Sequence, residues 1–199
     1  MTNRAHLSQN ISCGTLSSMK TAKNIAHTKN LISLALFMLV IKKPSEEISV
    51  KEICEKAGVS RMSFYRYYNK KDDIFVDFCD SRFEEFYDMY LSNKESYTPE
   101  EFTLNMFTFF RKYDRQLRIL FSAGKQHLLM EQFVSYAKFL FMRNKDNRVK
   151  ALYTNKVVGP FVAGGFFAVL ASWLNDGMEE TPEEINKMLF TAPEIIGLK

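Results

Sequence analysis

Apolar residues recur along almost the whole chain at spacings of three and four, the period of a helix buried on one face. The first such run, from about Asn24 to Lys42, sets Ile32, Ala35, Leu36, Leu39 and Val40 on one side. Lys42-Lys43-Pro44 closes it, with cations at the negative end of the helix dipole and a proline beyond. Ser49 with Glu52 three residues on reads as a capping box that opens a second helix, whose inward positions are Val50, Ile53, Cys54 and Ala57. Gly58 stops that helix. Ser60 caps a short third helix through about Tyr67, and Asn69 with Asp72 caps a fourth of some twenty residues.

Further apolar-rich segments lie at about 99–113, 115–122, 125–143 and 150–175. Thr98-Pro99-Glu100-Glu101 and Thr181-Pro182-Glu183-Glu184 are two helix starts of the same design, each a capping box with proline at the first helical position. A break is expected near Gly159-Pro160, because proline breaks or kinks a helix interior. No alternating strand pattern of useful length appears, nor any Asn-Gly or Asp-Gly hairpin between apolar runs. The pattern predicts an all-α protein. Residues 1–22, polar and without periodicity, are expected to form a flexible arm.

The 199 residues are 46% hydrophobic and 25% charged, which excludes a wholly disordered chain and a fibrous repeat. Eighteen Phe and nine Tyr can fill a large core and line a cavity with rings. The longest apolar stretch, Leu31 to Ile41, covers about half of the roughly 20 residues a bilayer span needs, so no membrane partner is expected. Cys13, Cys54 and Cys79 are odd in number and lack a CxxC spacing, and no secretory signal is visible. They read as reduced thiols of a cytoplasmic protein. His6, His27 and His127 share no spacing with Cys, Asp or Glu that makes a metal site or a triad. No metal, no cofactor and no catalytic residue is therefore expected, and the chain does not read as an enzyme.

Charge changes the picture more than composition does. The net charge is +4, but residues 1–76 hold twelve Lys and Arg against six Asp and Glu, while the remainder is slightly acidic. The positive end is where a polyanion would bind. Within it, Ser49 to Ile74 places two short helices around Ala57-Gly58-Val59-Ser60, a helix-turn-helix with glycine where a left-handed backbone is wanted. Outward positions of the second helix carry Arg61, Met62, Ser63, Tyr65, Arg66 and Tyr67. Arg pairs with guanine O6 and N7, Ser bonds either base edge and Met touches a thymine methyl. Tyrosine hydroxyls, lysines such as Lys70 and Lys71, and helix N-termini such as those capped by Ser49 and Ser60 suit phosphates.

The set Ile53…Ala57-Gly58-Val59-Ser60…Phe64-Tyr65-Arg66-Tyr67-Tyr68…Lys71-Asp72-Asp73-Ile74, behind the apolar first helix, resembles the TetR family of transcriptional regulators over residues 25–74. Towards the C-terminus, Phe161 to Phe167, Trp173-Leu174, Gly177-Met178 and Thr181-Pro182-Glu183-Glu184 are similar to a subgroup whose last two long helices form a four-helix dimer interface. The resemblance implies a three-helix DNA-binding domain over 23–71 and a larger helical ligand and dimerisation domain over 72–199. It implies base reading by Arg61, Met62 and Ser63, a grip on the DNA backbone by Tyr65 and Tyr67, and phosphate contacts from Ser49 and Lys71. Met62 stands where the family commonly has a small residue.

A cavity for a small hydrophobic or aromatic effector would draw on Phe107, Phe110, Tyr113, His127, Met130, Tyr136 and Phe167. A homodimer face would draw on Phe161, Gly164, Gly165, Trp173 and Met188. The function implied is a ligand-responsive repressor that binds double-stranded DNA at a palindromic operator as a dimer. The alternative is an activator, or a regulator controlled by a partner protein with no small-molecule effector.

Overall fold

Ile32, Ala35, Leu36 and Phe37 are the buried face of a first helix, α1 (Leu16–Val40), which is longer at its start than its apolar period alone indicates. The computed structural model describes residues 16–91, 98–142 and 145–195. Of the expected arm, residues 1–15 lie outside the described residues, while 16–22 continue α1 towards its N-terminus. A 3-10 turn at Ser45–Glu47 leads to α2 (Val50–Ala57), α3 (Arg61–Tyr67) and α4 (Asp72–Phe86), and a π-helical turn at Tyr87–Leu91 prolongs α4. Then come α5 (Pro99–Arg111), α6 (Asp114–Ser122), α7 (Gln126–Met142), α8 (Asn147–Thr154), α9 (Val158–Asn175) and α10 (Pro182–Ile195). Among the described residues there is no strand, so the fold is all-α.

The caps form where the side chains call for them. Ser49 accepts from the Glu52 N–H while Glu52 accepts from the Ser49 N–H, and Thr98 with Glu101 and Thr181 with Glu184 repeat the exchange. The break expected at Gly159-Pro160 falls earlier, at Asn155 to Val157. There the Asn155 side-chain oxygen accepts from the N–H groups of Val157 and Val158. Pro160 thus sits in the first turn of α9, where its missing N–H removes no helical bond.

α1 packs on α2 and α4, which seats the N-terminal helices on the rest of the bundle. Deeper in, α4, α5, α7 and α9 share an aromatic core. Phe83 stacks on Tyr136 with centroids 5.0 Å apart, Phe133 on Phe166 at 4.9 Å and Phe107 on Phe166 at 4.7 Å. α10 closes on α5 through a buried polar pair: the Thr103 hydroxyl donates to the Asn186 side-chain oxygen, and the Asn186 amide donates to the Glu100 carbonyl. α9 is the described helix whose length and composition alone would let it cross a bilayer, a test that the core helix of a soluble bundle also passes. Its inner face, Ala163, Phe166, Leu170, Trp173 and Leu174, is buried in the chain.

Candidate nucleic-acid interface

The turn between α2 and α3 begins at Gly58, which adopts φ +67°, the left-handed region that L-residues enter at a cost of roughly 1–2 kcal/mol. Nothing lies within 4 Å of where a Cβ would stand, so backbone conformation and not space demands glycine here. Val59 donates its N–H to the Cys54 carbonyl and packs half-buried between the helices. Ser60 then caps α3, its hydroxyl accepting from the Ser63 N–H at 3.0 Å and donating to the Ser63 hydroxyl. Phe64 is fully buried and anchors α3, with the ring of Tyr68 5.7 Å away.

Anchoring by Phe64 turns the remaining side chains outward. Arg61, Met62, Tyr65 and Arg66 are all exposed, Met62 by 79% and Tyr65 by 56%. Ser63 and Tyr67 are half-buried at the edges of this face, and Ser49, Ser60 and Lys70 are exposed beside it. An exposed methionine beside two arginines and a tyrosine on a helix held from behind offers apolar, guanidinium and hydroxyl contacts together. Those are the groups that base edges and phosphates accept.

Lys71 departs from the expected arrangement. Its ammonium donates to the carbonyls of Ser45, Glu46 (3.0 Å) and Ile48 (2.9 Å), which uses all three of its donors. The 3-10 turn leaves those carbonyls converging on one point, and the lysine fills it. Lys71 is therefore a strut between the α1–α2 loop and the start of α4, where sequence pattern pointed to a phosphate contact. The cap of α4 is also not Asn69: the Asp73 carboxylate reaches back to accept from the N–H groups of Asn69 and Lys70.

Three further contacts had no local signal in the sequence. Lys29 of α1 pairs with Asp77 of α4, and Asp77 also accepts from the Tyr68 hydroxyl at 2.8 Å, tying α1, the end of α3 and α4 together. Lys43 pairs with Glu52 at 2.6 Å, and this bond, followed by those from Ser49, holds the Glu52 carboxyl down to about 2. Lys125, in the turn between α6 and α7, pairs with Asp72 at 3.1 Å and fastens the first turn of α4 to the C-terminal helices. A crevice of about 480 Å³ opens between Val40, Ile41, Pro44 and the Arg118–Ser122 edge of α6.

The family model described as bacterial regulatory proteins of the tetR family matches residues 34–78, and one described as a transcriptional regulator C-terminal region matches residues 97–192. The chain belongs to the TetR family of transcriptional regulators. The match from α1 to α4 spans the helix-turn-helix whose exposed face is described above. A solved structure of Lin0861 from Listeria innocua is similar in fold, with a TM-score of 0.72 at 15% identity, covering 94% of this chain and 96% of that one. The structure of NalD from Pseudomonas aeruginosa, described as the secondary repressor of the MexAB-OprM multidrug efflux pump, has a TM-score of 0.54 at 16% identity. It covers 88% of this chain and 97% of its own. No curated protein matches the sequence.

The other expected TetR site residues are placed unevenly. Phe107 and Phe110 are fully buried, and Tyr113, Met130, Tyr136 and Phe167 are half-buried around the same core. The Tyr113 hydroxyl donates to Glu85, and Phe167 stacks on Phe121. His127 does not join them: it lies on the first turn of α7 and is exposed, because Leu129 and Phe133 take the buried face of that helix. On the expected dimer face, Phe161 is 78% exposed and Met188 50%, and Gly165 is exposed. Phe161, Gly165, Ala168 and Ser172 make one outward row along α9. Gly164 instead borders Met130 of α7, whose terminal carbon lies 3.6 Å from an added Cβ.

Trp173 is also turned inward, 2% exposed, with its indole N–H donating to the Glu180 carbonyl and its ring edge-on to Phe107. An indole of that size buries more surface in the core than on a helix flank, and the carbonyl satisfies its one donor. Cys54 and Cys79 are buried, and burial pushes the Cys79 thiol up to about 12, so neither is poised as a nucleophile. Cys13 and His6 lie outside the described residues. Among the described residues no group of three His, Cys, Asp or Glu could hold a metal ion.

Proposed function

We propose that this TetR-family protein is a repressor that binds a roughly palindromic operator as a homodimer, each subunit laying α3 in the major groove. The observation that carries the reading is the outward face of α3: Arg61, Met62, Tyr65 and Arg66 exposed on a helix fixed from behind by Phe64 and capped by Ser60. Arg61, Met62 and Ser63 read bases, while Tyr65, Tyr67, Arg66, Lys70 and the capped helix starts at Ser49 and Ser60 hold phosphates. The outward row of α9 with Met188 of α10 pairs with its copy, so that two recognition helices meet half-sites about 34–36 Å apart or a multiple of that. The role of NalD as a repressor supports the sign of regulation by fold likeness alone.

Release follows when a small hydrophobic or aromatic effector enters the C-terminal helices among Phe107, Phe110, Tyr113, Met130, Tyr136 and Phe167. Such a ligand acts only through its differential affinity for the DNA-bound and free shapes. The Lys125–Asp72 pair is the contact through which that change reaches α4 and hence α3. One observation favours a second reading, control by a partner protein: of the rings expected to line the cavity, Phe107 is stacked on Phe166 at 4.7 Å and Tyr136 on Phe83 at 5.0 Å, so an effector must first part them. The whole chain is cytoplasmic in this reading.

The test is fluorescence anisotropy with DNA upstream of the protein's own gene against scrambled DNA across a salt series. Preference for the upstream DNA that persists at physiological salt supports the regulator. Sequence-blind binding that vanishes with salt is counterion release alone and refutes it.

A further inference from the structure

The first 45 residues of the chain contain no Asp or Glu, although the whole chain has 23; their cations are Arg4, Lys20, Lys23, Lys29, Lys42 and Lys43. The structure neutralises two of these, Lys29 with Asp77 and Lys43 with Glu52. Lys23 has no such partner available on its own helix, since the positions three and four residues away are Lys20, Met19, Ala26 and His27.

The segment around Lys23 is also unpacked. Lys23, Asn24, Ile25, Ala26 and His27 are all exposed, and the buried face of α1 starts only with Thr28 and Lys29, half-buried, and Ile32, fully buried. A short helical stretch without packing or opposite-charge pairs gains little stability from within itself. Its place in the fold gives it a use. α1 leaves the bundle at Lys29, whose ammonium lies 5.7 Å from the ring centroid of Tyr68, the residue that ends α3. The other end of α1, at Val40 and Ile41, lies against α6. The exposed turns of α1 thus begin beside the recognition helix, at the end of α1 remote from α6.

The geometry points to a second DNA contact in each subunit, formed by the projecting turns of α1 around Lys23 and His27. This inference rests on the DNA-binding reading above and extends it beyond the helix-turn-helix. The segment sits on phosphates flanking the half-site that α3 reads. Charge complementarity selects that occupant: the projecting turns offer cations and amide donors with no carboxylate, and they start beside the C-terminal end of α3. The contact is blind to sequence, because it offers single donors to phosphates and nothing shaped to a base edge.

The experiment is the salt dependence of binding, measured by anisotropy on operator and scrambled DNA, for the full chain and three variants. Lys23→Gln removes the charge and keeps a good helix former. Lys23→Arg restores the charge, and Lys138→Gln removes an equal charge from an exposed site on α7. Each phosphate contact contributes about 0.9 to the slope of log affinity against log salt, so Lys23→Gln should make the slope of a dimer shallower by about 2. It should weaken operator and scrambled DNA by similar factors and leave the melting temperature unchanged. Lys23→Arg and Lys138→Gln should keep the parental slope.

A Lys23→Gln slope equal to the parent's overturns the inference while the DNA-binding reading stands. An equal change in Lys138→Gln overturns it too, by tracing the effect to net charge. Failure of the parent protein to prefer operator over scrambled DNA is a different result, and it removes the DNA-binding reading itself together with the inference.

Discussion

Replacing Lys71 by Met separates a strut from a phosphate contact. Met keeps most of the apolar stem and loses the ammonium, so the carbonyls of Ser45, Glu46 and Ile48 lose their shared donor. The bonds to Ser45 and Ile48 are part-buried, and the bond to Glu46 is exposed, where water replaces it at little cost. A net loss of about 1.5 kcal/mol for each part-buried, charge-assisted bond gives about 3 kcal/mol in all. For a chain of this size that lowers the melting temperature by roughly 6–12 °C. The assay is thermal unfolding followed by circular dichroism without DNA, with anisotropy on operator and scrambled DNA beside it. An unchanged melting temperature together with a uniform loss of DNA affinity would refute the reasoning, because it would place the ammonium on a phosphate and not under the α1–α2 loop.

Arg61→Ala should cost about 1–3 kcal/mol on the operator and relax preference at one base position, while scrambled DNA is little affected; equal losses on every sequence would deny it a reading role. Phe161→Glu places a charge in the outward row of α9 and should yield a folded monomer by light scattering, where an intact dimer would exclude that face. Asp80 is half-buried on α4, and burial, then the neighbouring Glu84 and Asp77, raises its carboxyl to about 6 from the ordinary 3.8. Well below the ordinary 3.8 it is protonated folded and unfolded alike, so its contribution is full there and is lost as pH rises through 6. Asp80→Asn should accordingly stabilise the protein at pH 8 by about 1–2 kcal/mol, after allowance for solvent screening, with the gain shrinking towards zero as pH falls below 3.8. A pH-independent gap in melting temperature would show the effect to be packing.

Much of this protein was legible in one dimension because its signals are local. Helix period, the three capping boxes, Gly58 and the Ser60 cap depend on neighbours within four residues, and each appears where the pattern put it. The outward face of α3 was legible for the same reason: once Phe64 is assigned inward, helical geometry alone turns Arg61, Met62, Tyr65 and Arg66 out. Decisions between distant segments were not legible. Whether the Lys71 ammonium meets a phosphate or three carbonyls depends on a loop some 25 residues upstream, and Lys125 meets Asp72 across 53 residues of chain. Trp173, expected on the dimer face, is buried in the core, and His127, expected in the cavity wall, is exposed. An apolar period specifies that a helix has an inner face, but the neighbours that pack on it decide how wide that face is and what it encloses.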